Sequence, residues 1–71
     1  MLRREAVIAK LRDIGYRFKK DAWRVSIFTR GTHRSMVPKK DLLEQETVCH
    51  LLRQAGQTPE QIRDFIAAAR S

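Results

Sequence analysis

The sequence predicts an α+β fold with the element order α-β-β-β-α-α, because the spacing of its apolar residues changes twice along the chain. Apolar residues recur every three or four positions in residues 4–14, alternate with polar ones in residues 16–38, and return to the helical spacing after residue 41. The alternating runs are short and separated by turn-forming residues, which is typical of antiparallel hairpins. We therefore expect one domain over residues 1–71, with a three-stranded antiparallel sheet packed by helices.

The first helix is predicted from an apolar stripe formed by Val7, Ile8, Leu11 and Ile14. Gly15 follows this stripe, as expected for the residue just after a helix. The basic residues of this segment lie off the stripe, and they would face solvent.

The three strands are predicted in "YRFKKDAW", "RVSIFTRG" and "THRSMVP", with turns at "KKDA" and "TRGT". β-Branched and aromatic residues, which favour strands, are dense in these runs. Pro38 cannot donate a backbone hydrogen bond, so it should end the third strand or lie on an edge.

The second strand decides which surface of the sheet is exposed. We expect Val25 and Ile27 to lie beneath the first two helices, which leaves Arg24, Phe28 and Arg30 on a basic, solvent-exposed face. Such a face suits phosphate contacts and base stacking with RNA. The opposite assignment stays open, because Phe28 would also make a good core residue.

Two further helices are predicted after residue 41. One carries an apolar stripe over residues 48–55 and ends at Gly56. The other begins at Thr58, with Pro59 at its first position and Gln61 placed to complete a capping box. The pair could form a DNA-binding helix-turn-helix, but the second helix is not basic, which disfavours that alternative.

Positive charge is concentrated in the first forty residues. The formal net charge is +7, with twelve Lys or Arg against three acidic residues in residues 1–40 and three arginines against five acidic residues in residues 41–71. A field of this kind attracts polyanions and accelerates their encounter. It favours a nucleic-acid partner, and an acidic protein is the alternative.

The remaining composition excludes several classes of protein. The single cysteine, Cys49, allows no intramolecular disulfide and no cysteine-rich zinc site, and it fits a reducing, cytoplasmic location. The apolar residues near the N-terminus are interrupted by charges, so neither a signal peptide nor a membrane span is expected. No cofactor or metal is expected.

The stretch "VPKKDLLEQETVCHLLRQAGQTPEQI" resembles the HicA family of small bacterial toxins, and "VIAKLRDIGYRF" is similar to the family's first helix, glycine and first strand. The resemblance covers nearly the whole chain. It implies a fold of the double-stranded RNA-binding type, metal-independent cleavage of mRNA in a toxin-antitoxin system, and an acidic HicB-like antitoxin as partner.

The catalytic position departs from the family. The family's histidine belongs to a glycine-serine-histidine motif at the start of the second strand, and alignment on Val37-Pro38 without gaps places Arg24 there. An alternative register matches Gly31, Thr32 and His33 to the motif, but it leaves no third strand before Val37. We therefore expect RNA binding without efficient cleavage.

Candidate functional residues follow from these patterns. His33 is the candidate general base, since imidazole is the side-chain group that ordinarily exchanges a proton near neutral pH. The candidate RNA-binding residues are Arg24, Phe28, Arg30, Arg34, Lys39 and Lys40, of which the two lysines precede the second helix, whose N-terminus also attracts anions. Trp23 could stack on a base or cover the edge of the core. A non-enzymatic regulatory module and a protein-interaction module for an acidic partner are the alternatives.

Overall fold

The computed structural model describes residues 1–70 and confirms the α+β class. Three helices lie beside a three-stranded antiparallel sheet, and a second, two-stranded sheet joins the N-terminus to the segment before the second helix. In chain order the elements are β1 (Leu2–Arg3), α1 (Arg4–Asp13), β2 (Arg17–Asp21), β3 (Val25–Arg30), β4 (His33–Pro38), β5 (Leu42–Leu43), α2 (Gln45–Gln54) and α3 (Pro59–Arg70).

The main sheet has the strand order β2-β3-β4, and both pairings are antiparallel. Its extent agrees with the predicted residues 16–38. The predicted turn at Lys19-Lys20-Asp21 is wrong, because β2 continues through Asp21 with a bulge between Phe18 and Lys20. A bulge breaks the alternation on which a sequence-based strand boundary depends.

The small sheet of β1 and β5 was not predicted from the sequence. Leu2 pairs with Leu43, and each side chain is only 2% exposed. The backbone N–H of Arg4 also donates to the carbonyl oxygen of Asp41 at 2.9 Å. A strand of two residues is too short to show an alternating pattern, so the sequence does not predict this pairing. The structure shows it through the burial of the two leucines.

The ends of the helices follow the predicted capping residues. Gly15 and Gly56 both have positive φ, at 103° and 89°, and each allows the next residue to donate back to the helix: Tyr16 to Leu11 at 2.9 Å and Gln57 to Leu52 at 3.0 Å. The capping box before α3 is confirmed by reciprocal hydrogen bonds between Thr58 and Gln61, at 2.8 and 3.1 Å.

The predicted orientation of the main sheet is wrong, and the alternative is confirmed. Phe28 is 2% exposed and Val37 is fully buried beneath the helices, whereas Val25 and Ile27 are only partly buried on the other side. Phe28 decides the orientation, because a phenyl ring buries far more apolar area than the aliphatic side chains beside it. Ser26 is also turned inward, where hydrogen bonds satisfy its hydroxyl.

Arg30 also points to the helical side, so its predicted exposure on a basic sheet face is wrong. Its guanidinium donates to the carbonyl oxygens of Ile14, at 2.8 Å, and Ala55, at 3.2 Å, which are the C-terminal ends of α1 and α2. It also lies 4.9 Å from the ring centroid of Tyr16. A cation at two helix C-termini is favoured by both helix dipoles, and Arg30 therefore links both helices to the sheet.

We expect Arg30→Met to lower the free energy of unfolding by about 2–3 kcal/mol, because two charge-assisted hydrogen bonds and a cation–π contact are lost together. Arg30→Lys should recover only part of this, since an ammonium cannot reproduce the planar fork. Urea unfolding followed by circular dichroism measures the change. Arg34→Met, on the next strand and exposed, is the control and should change the value by less than about 0.5 kcal/mol. Equal losses in the two variants would contradict this role.

Candidate nucleic-acid interface

One face of the main sheet is left uncovered by the helices. Directly paired residues of antiparallel strands project to the same side, so the register defines rows that cross the sheet. We use the name open sheet face for Arg17, Lys20, Val25, Ile27, Thr29, Arg34, Met36 and Pro38, which lie in three such rows. Met36, on the outer strand β4, is 59% exposed, and Ile27, at the centre of the face, is partly buried.

The charge of the open sheet face has a single sign. Arg17 and Arg34 end one row on the two outer strands, about 10 Å apart at the usual strand spacing. Lys20 ends the next row beside Ile27. None of the residues that form this face is acidic. The arrangement surrounds an apolar centre with cations, which suits a ligand that carries both negative charge and apolar surface.

Trp23 and Arg24 lie at one end of the open sheet face, in the turn between β2 and β3. Trp23 is 84% exposed, so it does not cover the core, and the guanidinium carbon of Arg24 lies 4.3 Å from the centroid of its ring. The carbonyl oxygen of Arg24 accepts a hydrogen bond from the backbone N–H of Lys39 at 3.0 Å, which ties this turn to the end of β4. An exposed indole next to a guanidinium is a suitable platform for an unpaired base.

A polar network lies on the opposite, helical side of the same strands. The Ser26 hydroxyl donates to Asp21 at 2.7 Å, and Arg4 donates both to Ser26 at 2.5 Å and to the carbonyl oxygen of Pro38 at 3.0 Å. Lys39 forms an ion pair with Asp21 at 3.7 Å. The Ser26 hydrogen bond, and then the charges of Lys39 and Arg4, lower the pKa of Asp21 against a raising effect of desolvation. Asp21 is therefore held ionised on the side away from the open sheet face.

Two of the predicted RNA-binding residues are unavailable to a ligand on this face. Phe28 is buried and meets Phe18 edge-to-face at 5.7 Å, so it cannot stack on a base. The guanidinium of Arg30 is occupied by two carbonyl oxygens. The prediction that these two residues share an exposed surface with Arg24 is wrong, because it followed from the inverted orientation of the sheet.

The other predicted residues remain exposed. Arg34 belongs to the open sheet face, and Lys39 and Lys40 follow directly after β4. The two lysines are separated from the N-terminus of α2 by β5 and by Glu44, which occupies the N-cap position. Glu44 makes no side-chain capping hydrogen bond, but its charge and that of Glu46 in the first turn repel an anion from the positive end of the helix. The predicted phosphate site at the N-terminus of α2 is therefore disfavoured.

His33, the candidate general base, lies at the start of β4 opposite Arg30, on the side of the sheet away from Arg34. Its side chain is exposed and makes no hydrogen bond or ion pair within residues 1–70. His50 is exposed on α2, far from it along the chain. No group of metal-ligating side chains occurs in residues 1–70 either. The cation paired with His33, Arg30, is already engaged by two carbonyl oxygens, so it is not available to stabilise charge on a scissile phosphate.

Sequence reasoning missed Arg17 and Lys20 as members of the site. Both were assigned to a first strand whose orientation depended on the second, and Lys20 was placed in a turn. The available signal for Arg17 was the size of Phe28, because burying that ring turns Thr29 outward and brings its partner Arg17 to the same side. The bulge that places Lys20 on this side has no clear sequence signal.

No protein-family model matches the chain, and comparisons with curated proteins and with solved structures likewise found no match. Within residues 1–70, no helix combines the length and the apolar character needed to span a membrane.

We expect Ser26→Ala to raise the pKa of Asp21 toward its ordinary value, because the Ser26 hydrogen bond is the largest cause of the lowering. A depressed pKa in the folded state means that ionised Asp21 stabilises the fold above its unfolded pKa, about 3.9, and that this stabilisation is lost as the pH falls through the depressed value. Carboxyl NMR titration measures the pKa directly. Ser35→Ala, on the same side of the sheet, is the control and should leave the titration of Asp21 unchanged. An unchanged titration in Ser26→Ala would refute the assignment.

Proposed function

We propose that this protein binds RNA with unpaired bases on the open sheet face and does not cleave it efficiently. The observation that carries the proposal is the charge of that face, which bears Arg17, Lys20 and Arg34 and no carboxylate. Cations on several strands can neutralise successive phosphates, and each neutralised phosphate releases a counterion. The concentration of basic residues in residues 1–40 adds a field that speeds encounter.

Trp23 favours nucleic acid over an acidic protein as the ligand. Its ring is 84% exposed beside Arg24, so it is accessible to a planar ligand. Stacking on an aromatic side chain is available to any unpaired base and contributes about 1–3 kcal/mol per base. A duplex keeps its bases stacked on one another, so single-stranded or looped RNA is the better ligand.

The resemblance to the HicA toxins agrees with an RNA ligand. Arg24 stands where an ungapped alignment places that family's catalytic histidine, and a guanidinium stays protonated and cannot act as a base near neutral pH. His33 is the one histidine within the strands of the main sheet, and it lies on the other side from Arg34. The proposal is therefore a HicA-like domain that binds without efficient chemistry. A toxin-antitoxin role with a HicB-like partner rests on the resemblance alone.

We expect binding of a labelled single-stranded RNA to weaken steeply as salt rises, and the double variant Arg17→Glu/Arg34→Glu to reduce both the affinity and the salt slope. Fluorescence anisotropy measures the affinity, and quenching of Trp23, the chain's one tryptophan, reports contact at the turn. The matched control is Arg63→Glu/Arg70→Glu, which changes the net charge equally on exposed positions of α3, away from the open sheet face. The proposal fails if binding is absent at about 50 mM salt, is indifferent to salt, or is lost equally in the control.

We expect the purified protein to leave a structured RNA intact over hours of incubation, because no general base lies among the cations of the open sheet face. Gel analysis of the RNA tests this, with His33→Ala and His50→Ala in parallel. Fast fragmentation lost with His33→Ala alone would show that His33 takes the family's catalytic role. Fast fragmentation that survives both substitutions would place the chemistry elsewhere in the chain.

A further inference from the structure

A second surface, on the helical layer, has a chemistry of its own. α2 and α3 pack side by side and leave a groove between them. We use the name α2–α3 groove for the surface lined by Cys49, Arg53, Ile62, Arg63, Ile66 and Arg70. Ile62 and Ile66, one turn apart on α3, are 5% and 7% exposed and form its floor. Exposed Pro59 and Ala67 and half-buried Cys49 supply the apolar surface around them. The three arginines are exposed around them.

The positive and negative side chains of residues 41–71 lie on different parts of the surface. This half of the chain has five carboxylate residues and only three arginines, so its net charge is negative. Yet Arg53, Arg63 and Arg70 all line the α2–α3 groove, whereas none of the five carboxylates does. A solubilising surface would intersperse the two signs, as helix surfaces commonly do through i, i+4 pairs. The groove is thus positively charged, although residues 41–71, which form it, carry a net negative charge.

The three arginines are also free to bind. Within residues 1–70, no ion pair joins any of them to a carboxylate, and no side-chain hydrogen bond uses their guanidinium groups. A guanidinium binds a carboxylate through two parallel hydrogen bonds, which gives it both strength and directional preference for that ligand. A partner with several carboxylates at matching positions would satisfy all three.

We propose that the α2–α3 groove docks an acidic amphipathic helix of a protein partner. A groove between two helices with an apolar floor accepts a third helix through side chains spaced three and four residues apart. α3 has 12 residues and is about 18 Å long, which matches a partner helix of two heptads. RNA is the weaker candidate here, because no aromatic side chain lines the groove to stack on bases. Ile62, Arg63, Ile66 and Arg70 of α3 line the groove away from the open sheet face, whereas Cys49 and Arg53 of α2 also lie beside Arg34 and Met36. The α3 side of the groove therefore distinguishes this proposal from RNA binding.

The probe is a panel of labelled two-heptad peptides with leucine at positions a and d and glutamate at the flanking positions. Its control is the same panel with lysine in place of glutamate. We expect saturable binding of at least one acidic peptide and none of the lysine peptides, measured by anisotropy. Amide NMR shifts in the 71-residue protein should be confined to α2 and α3.

Reciprocal variants separate this proposal from RNA binding. Arg63→Glu/Arg70→Glu should weaken the acidic peptide about tenfold or more and gain binding to the lysine version, while Arg17→Glu/Arg34→Glu should leave peptide binding unchanged. The gain of binding to the lysine version guards against a variant that merely fails to fold. The proposal is overturned if no acidic peptide binds, if the shifts fall on the open sheet face, or if the groove variant loses RNA while peptides never bind.

Discussion

The structure depends on the hydrogen bonds between Arg30 and the C-terminal ends of two helices. Those carbonyl groups have no partners within their own helices, and a guanidinium from β3 satisfies one from each. The contact requires the side chain of Arg30 to point toward the helices. Since side chains alternate along a strand, Phe28 and Ser26 must then point the same way, and Ile27 must point out. A slip of one residue would exchange the two faces of the strand completely.

The bulge in β2 is the reason that the charged residues of the open sheet face are all basic. Phe18 pairs with Phe28 on the helical side, so an uninterrupted strand would place Lys20 on that side and Asp21 on the other. The extra residue reverses the order: Lys20 pairs with Ile27 and Asp21 pairs with Ser26. The Ser26 hydroxyl can then donate a hydrogen bond to Asp21, and this bond offsets the desolvation penalty of a polar group that faces the helices. One inserted residue therefore both satisfies Ser26 and removes the carboxylate from the open sheet face.

The elements could be predicted from the sequence, but the orientation of the sheet could not. Helix spacing, the glycines after α1 and α2, and the capping box at Thr58 are local signals, and all of them were confirmed. The face of β3 is not a local property, because both alternating sets contain apolar residues and only packing against the helices chooses between them. The bulge and the pairing of Leu2 with Leu43 depend in the same way on distant contacts. For this reason the predicted exposure of Arg34 agrees with the structure, while that of Phe28 and Arg30 does not.

The open sheet face and the α2–α3 groove lie close together on a very small molecule, and Arg53 of the groove lies beside Arg34 of the open sheet face. The Cα extents are 29 × 24 × 17 Å, within one Debye length of about 30 Å at roughly 0.01 M salt, whereas the Debye length of about 8 Å at physiological salt screens the more distant charges. Both are positive, and an anionic ligand on either one weakens the field that attracts a ligand to the other. By thermodynamic linkage, each ligand lowers the affinity for the other by the same factor. Rising salt screens the charges and removes this effect. Two surfaces without a shared residue can therefore compete through charge alone, and no conformational change is needed to couple them.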